Sequence, residues 1–397
     1  MVSSKPNSVF PKLLLAMATA FVVRILPLFM LDPAKFSFGD QRVYLEVAVK
    51  LFKSGFLYEG NPTAMFPPVY PIFIALVSVL SRDPMAVRLA QIIIASLLVF
   101  PIYKLSLRFS SRKGAMLAVF FYALYIPAAS MPVFIYPQML ASVWAIGFLA
   151  FNLSLSGRPF RWFRDLLYGA YIAIGGLLVT MMLPLAFLPT IFLLKKDLRR
   201  WFLVAAGFLV ILSPWAVRNY AVFNKPVLFS STGGKNLWAG NCQWATSNSG
   251  SNPIYRTEEG VEILSKGEID GEAEFKARAL DWIFNNPLNC FTLYIKKFIN
   301  FWRLYSAPVS FGEVKIGKEE IVFAFSWLAL LSVWLASSFK NRRDSTHLVF
   351  TLSIILFALS YSVFFTRVRF RMPIEPLMII LASGLFKSKK KACDQRN

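Results

Sequence analysis

The sequence predicts an all-α protein that crosses a membrane many times, and three observations carry that prediction. Of the 397 residues, 56% are hydrophobic and only 16% are charged, a balance a water-soluble globule does not need. Apolar runs of spanning length recur from one end to the other, as bilayer-crossing helices require. The formal net charge of +22 falls in short Lys and Arg clusters between those runs. That is the pattern of cytoplasmic loops, not of a nucleic-acid footprint, so no nucleic-acid partner is expected.

In chain order, spans are expected at residues 9–31, 84–107, 113–131, 137–155, 166–181, 183–194, 201–222, 320–339, 348–366 and 373–386, about ten in all. Lys5 and Lys12 are followed by apolar residues that continue past the small residues 16–20 to Leu31, so the first run reads as a retained span rather than a cleaved signal. Five basic clusters are expected to face the cytoplasm together with both termini: Arg108/Arg112/Lys113, Arg158/Arg161/Arg164, Lys195/Lys196/Arg199/Arg200, Lys340/Arg342/Arg343 and Lys387/Lys389/Lys390/Lys391. That demand decides residues 67–80. A full crossing there would strand Arg108, Arg112 and Lys113 outside, and the run opens with Pro67 and Pro68, so an interfacial or re-entrant helix is expected.

The chain then divides into an N-terminal membrane module, 1–222, with a first extracytoplasmic loop at 32–83; an extracytoplasmic region, 223–318; and C-terminal spans with a basic tail, 319–397. The middle region opens with the turn-rich "STGGKNLWAGNCQWATSNSGSNP" and continues with a carboxylate-rich helical part at 258–281. It closes with "LNCFTLYIKKFINFWRLY", apolar at helical spacing with Lys296, Lys297 and Arg303 at the polar positions. This last stretch is expected as a helix along the membrane surface. Cys242 and Cys290 both fall in the region, and pairing between them stays open. With His347 the only histidine and no paired spacing among the three cysteines, neither a zinc site nor a His-based triad is expected.

Asp40 opens a helix that should run to Lys53 and stop at Gly55, a fitting place for an N-cap. Tyr44, Val47, Ala48, Leu51 and Phe52 form its apolar stripe; Arg42, Glu46 and Lys50 form a solvated face. At the other end of the chain, "FFTRVRFRMPIEP" places Arg367, Arg369 and Arg371 at the outer membrane face, against the orientation bias. Either headgroup snorkelling or a bound lipid phosphate accounts for them. Arg218 in "SPWAVRNY" is a fourth outer arginine, and Pro214 there is expected to open the helix toward a cavity. Lys235, in a glycine-paired stretch without P-loop spacing, is a further phosphate or sugar contact. Glu375, between Pro373 and Pro376, is expected to pair with one of the arginines.

"FGDQRVYLEVAVKLFKSG" with "PPVYP", then "PWAVRNYAVFNKPVLFSSTGGKNLWAGN", then "RVRFRMPIEP" resemble, in that order, motifs of GT-C membrane glycosyltransferases. The likeness is to the relatives of protein O-mannosyltransferases and aminoarabinose transferases, glycosyltransferase families 39 and 83. It implies a GT-C bundle whose outer-facing active site transfers a sugar, with inversion, from a polyprenyl-phosphate donor to a protein, lipid or glycan acceptor, with no cofactor or metal required. It also implies an essential acidic residue at Asp40, with Arg42 and Tyr44 at the family's offsets. A second family position, in a Tyr-Pro-acid context, is occupied by Gln138 in "IYPQML", a departure from a two-carboxylate pattern. Asp40 is then the general base and Arg218, Arg367, Arg369 and Arg371, with Lys235, the phosphate contacts. Two rivals use the same cations: a flippase or transporter of an anionic lipid-linked sugar, and an O-antigen-type polymerase or ligase.

Overall fold

The computed structural model describes residues 9–30, 39–248, 252–304 and 318–387. Lys5, the opening of the first loop at 32–38, and the tail lysines Lys389, Lys390 and Lys391 lie outside the described residues. The helices in chain order are α1 (Phe10–Met30), α2 (Asp40–Ser54), α3 (Val69–Leu80), α4 (Pro84–Leu97), α5 (Val99–Phe109), α6 (Arg112–Leu124), α7 (Ile126–Ser130), α8 (Gln138–Leu155), α9 (Trp162–Leu178) and α10 (Met182–Leu194). They continue with α11 (Leu198–Phe223), α12 (Gly233–Gly240), α13 (Asn252–Arg256), α14 (Glu258–Ser265), α15 (Glu268–Asn285), α16 (Pro287–Phe301), α17 (Lys318–Lys340), α18 (Ser345–Ser362) and α19 (Glu375–Ala382). The β-structure of the described residues is one two-residue antiparallel ladder, Leu57–Tyr58 with Asn61–Pro62.

The protein is an all-α polytopic membrane protein. Six helices of the described residues are long and apolar enough to cross a bilayer: α1, α4 joined to α5, α8, α11, α17 and α18. The pair α6 and α7, bent by 52° where Pro127 enters, makes a seventh if read as one broken span. The sequence expectation of about ten requires the shorter α9, α10 and α19 as well. The expected last span is in fact three pieces: 3-10 turns at Met372–Ile374 and Ser383–Phe386 flank the eight residues of α19. Pro373 and Pro376 account for the first of these breaks, at the start of α19. Its Leu377, Met378, Ile380 and Leu381 are fully buried, so this apolar run lies enclosed by other helices rather than facing lipid. Conversely α11 runs unbroken through Pro214, and the expected opening there is absent.

At α3 the 12 residues reach only about 18 Å, short of a hydrocarbon core. Tyr70 and Ile74 are buried while Val79 and Leu80 are exposed, as for a helix lying on the bundle. The pair α9 and α11 packs closely: a Cβ at Gly169 would collide with the Val204 carbonyl, and one at Gly207 with that of Leu166. One end of the bundle gathers the described basic clusters. There the Ser111 amide donates to the Phe386 carbonyl, Lys340 to that of Leu385, and Arg200 to Asp165 at 2.9 Å.

The other end carries the two loop regions, and they are tied together. Glu268 of α15 accepts from the Ala64 amide at 2.7 Å, Thr63 Oγ1 at 2.8 Å and Ser231 Oγ at 2.5 Å. Around Trp238, Ile263 and Phe275 a separate apolar core holds α12 to α15. The turn-rich reading of 231–253 is corrected at α12, which is helical. The surface-helix reading of α16 is corrected at Lys297: it is fully buried and donates to Asn241 Oδ1 at 3.0 Å. Cys242 and Cys290 are both free thiols.

Candidate functional site

The site begins with α2. Gly39, at φ 61°, takes a backbone conformation that favours glycine and serves as the N-cap; Asp40 is the first helical residue, and no side chain caps this helix. The capping reading of Asp40 is therefore corrected, and its carboxylate is left to act elsewhere. Burial of Tyr44, Val47 and Ala48 fixes the helix on the bundle, with Tyr44 stacked on Phe66 at 4.1 Å and edge-on to Tyr70 at 5.0 Å. Phe52, expected in the same stripe, is exposed. Gln41, fully buried, accepts the Ile135 amide at 2.8 Å and pins α2 to the segment before α8. Sequence reasoning passed over Gln41, because a backbone partner leaves no mark in the sequence.

The opposite wall comes from the segment after α18. Thr366 is anchored to α16: its hydroxyl donates to the Lys297 carbonyl at 2.8 Å and its carbonyl accepts from Asn300 at 2.8 Å. The chain then turns through Val368–Phe370, and Arg369 Nη2 donates to Asp40 Oδ2 at 3.3 Å. The Arg369 guanidinium carbon lies 4.3 Å from the Tyr136 ring centroid. Both charged side chains keep access to solvent, at 27% for Arg369 and 48% for Asp40. Arg367 stands beside them over Phe365, and the Nε atoms of Arg367 and Arg369 have no hydrogen-bond partner among the described residues. Burial, then the adjacent Arg369 charge, pushes the Arg367 pKa down. Burial, then the Asp40 charge, pushes the Tyr44 hydroxyl well above its usual range. Burial likewise raises Tyr136, against the pull of Arg369. Both tyrosine hydroxyls therefore hold their protons more tightly than a free phenol does, beside Asp40, Arg367 and Arg369.

The remaining predicted residues lie elsewhere. Arg371 is fully buried; its Nε donates to Glu375 Oε1 at 3.0 Å, its Nη1 reaches the Phe301 and Arg303 carbonyls, and its guanidinium lies 3.9 Å from the Trp327 ring centroid. Buried among these partners, it lies apart from the solvent-accessible Asp40–Arg369 contact, while Glu375 takes the arginine partner expected of it. Arg218 gives its fork to the carbonyls of Thr63 at 2.9 Å and Phe56 at 3.0 Å; it braces the first loop instead of facing Asp40. Lys235 rests on Tyr255, with Nζ 3.0 Å from its hydroxyl. The anion-attracting start of α12 beside it is already filled, since Glu272 accepts the Gly234 and Lys235 amides. Arg42 is exposed, with Glu46 and Tyr58 within reach of its charge. Gln138 is buried at the head of α8, two residues from Tyr136, with Oε1 unpartnered among the described residues. No three His, Cys, Asp or Glu side chains of the described residues converge as a metal site would need.

An exposed carboxylate held beside two guanidiniums can take a proton while an anion sits on the arginines. The sequence matches no family model and no curated relative. Solved structures do match. An oligosaccharyltransferase, AglB, from Archaeoglobus fulgidus, in complex with an inhibitory peptide and a dolichol-phosphate, superposes with a TM-score of 0.53 at 12% identity. The alignment covers 97% of this chain and 50% of that one. The fold is of GT-C type. A second structure of the Archaeoglobus fulgidus enzyme, tethered to an acceptor peptide containing the NVT sequon, gives a TM-score of 0.52 at 15% identity over 96% of this chain and 49% of that one. This GT-C chain thus spans about half the length of the structures it matches.

Proposed function

We propose that this protein is a membrane glycosyltransferase that moves a sugar from a polyprenyl-phosphate donor to an acceptor outside the cytoplasm, with inversion at the anomeric carbon. The observation that carries the reading is the Asp40–Arg369 contact with Arg367 alongside, set on a GT-C fold. In the reaction, the Asp40 carboxylate takes the proton of an acceptor hydroxyl as its oxygen bonds to the anomeric carbon. The bond from that carbon to the phosphate oxygen breaks, and the electron pair leaves with the polyprenyl phosphate. The leaving group is already a stable anion and needs positive charge rather than a proton. Arg367 and Arg369 supply it, each charge-assisted hydrogen bond contributing about 1.5 to 3 kcal/mol. The dolichol-phosphate and peptide of the archaeal neighbour's complex support a lipid-phosphate donor and a polar acceptor as the classes to try.

The test is purified protein in liposomes supplied with a panel of radiolabelled polyprenyl-phosphate sugars, with sugar release and transfer measured. Donor-dependent release, lost in Asp40→Asn, supports the enzyme. Movement of intact donor between leaflets with no release at any donor would replace it with a flippase.

A further inference from the structure

A cavity of about 710 Å³ opens at the basic end of the bundle, within the range of about 300 to 1,000 Å³ typical of ligand pockets. It lies far from Asp40: Leu155 lines it at the last turn of α8 and Tyr136 precedes the first, a helix length of about 27 Å. Its rim carries Arg158, Lys195, Lys196 and Arg200 against one carboxylate, Asp197. Arg200 is committed to Asp165 at 2.9 Å, and Asp197 caps α11 and holds Arg199 at 3.5 Å. No carboxylate of the described residues pairs with Arg158, Lys195 or Lys196. Below that rim the wall turns apolar, with Phe192, Val349 and the buried Phe350.

Orientation bias accounts for cations at this end of a membrane protein, but not for a recess beside them lined by Phe192, Val349 and Phe350. Local backbone adds a second mark. Lys195 ends α10 at φ 51°, where a side-chain-bearing residue is strained, and its carbonyl is held by the Trp201 indole at 3.1 Å. The strained turn sets two lysines side by side at the mouth. Exposed aromatics near the starts of the helices at this end, Trp162 of α9 and Phe202 of α11, suit headgroup depth.

We infer that this cavity binds one anionic phospholipid of the leaflet at the basic end, which the charge bias makes the cytoplasmic one. The phosphodiester sits among Arg158, Lys195 and Lys196, and the start of an acyl chain lies on Phe192 and Val349. Unpaired cations over an apolar wall suit a molecule that is anionic at one end and apolar at the other, at the depth where such molecules sit. This site stands independently of the sugar-transfer reading.

The test is native mass spectrometry and thermal unfolding of the full chain in detergent, titrated with phosphatidylglycerol, phosphatidylcholine or inorganic phosphate. One phosphatidylglycerol should be retained and should raise the unfolding temperature, while phosphatidylcholine does neither. In Arg158→Gln/Lys195→Gln/Lys196→Gln retention should weaken on the order of a hundredfold, about fivefold per charge. Each single glutamine variant, far less able to disturb folding, should show about that fivefold loss. Arg342→Gln/Arg343→Gln, which removes charge at the same end but outside the cavity, should bind as the parent does. Unchanged phosphatidylglycerol retention in the single and triple variants would overturn the site, as would an equal loss in the Arg342/Arg343 control. Stabilisation by inorganic phosphate equal to that by phosphatidylglycerol would make the ligand a free anion and overturn the lipid assignment.

Discussion

Asp40 and Arg369 lie 329 residues apart in the chain and meet through a single 3.3 Å hydrogen bond at the loop-bearing end of the bundle. A pair this exposed contributes only about 0 to 1 kcal/mol to stability, so folding alone gives little reason for bringing them together. Their surroundings are nevertheless built with care: Gln41 pins one partner's helix, Thr366 anchors the other's segment, and Tyr136 lies under the guanidinium. Groups held in place yet left accessible are what binding and proton transfer require.

The first prediction separates chemistry from structure at Asp40. Asp40→Asn should fold, reach the membrane and bind donor, but lose sugar transfer by about 10² to 10⁴-fold. Because Gly39 and not Asp40 is the cap, Asp40→Ala and Asp40→Asn should cost about the same stability, each losing the roughly 0.3 to 1 kcal/mol of a first-turn charge. Near-parental turnover in Asp40→Asn would remove the proposed base.

A second prediction divides the arginines. Arg369→Lys keeps the charge but loses the planar fork and should weaken donor binding, Arg369→Ala and Arg367→Ala more so. Arg218→Ala should leave donor affinity unchanged and instead lower stability by about 2 kcal/mol, the cost of freeing loop carbonyls from a charged donor. Donor dissociation constants and thermal unfolding, measured on the same preparations, decide it. Equal loss of affinity in all three alanine variants would return Arg218 to the site.

How far the sequence reaches is clear from particular residues. The run expected at 9–31 is α1 within a residue or so, because apolar length is written directly in composition. Arg367 and Arg369 stand out in the sequence as cations that run against the orientation bias, and Glu375 as a partner for one of the three arginines there, which in the structure is Arg371. What stayed hidden were partners that are backbone. Arg218 bonds to the carbonyls of Thr63 and Phe56. Fully buried Arg24, in α1, bonds to those of Tyr122 and Ala123, freed where α6 ends. Lys297 misled because helical periodicity places it on a polar face, while α12 and its Asn241 arrive from 56 residues away to cover that face.

The Arg371–Glu375 pair yields a third prediction. Both side chains are fully buried, so removing one charge strands the other. Glu375→Leu and Arg371→Met should each lower stability by about 3 to 5 kcal/mol, whereas the double variant should recover most of that loss. Thermal unfolding in detergent measures it, and strictly additive losses would show that the pair is not the coupled unit described.

The last prediction concerns pH. Burial pushes the Lys297 ammonium from 10.5 down to about 8. Between those values the unfolded chain still holds the proton that the folded chain has released, so stability must rise as pH climbs through this window and lie flat below it. Cys242, itself pushed up to about 11 by burial, stays a neutral thiol over most of that range and does not supply a compensating charge. Lys297→Met removes the titrating group while keeping an unbranched chain in its place, and should abolish the rise. The informative quantity is the difference between parent and Lys297→Met unfolding temperatures from pH 7 to pH 10, because other groups titrate equally in both. A difference that stays constant across that range would mean Lys297 is not held against its charge by the fold, and that the α16 surface facing Asn241 is wet.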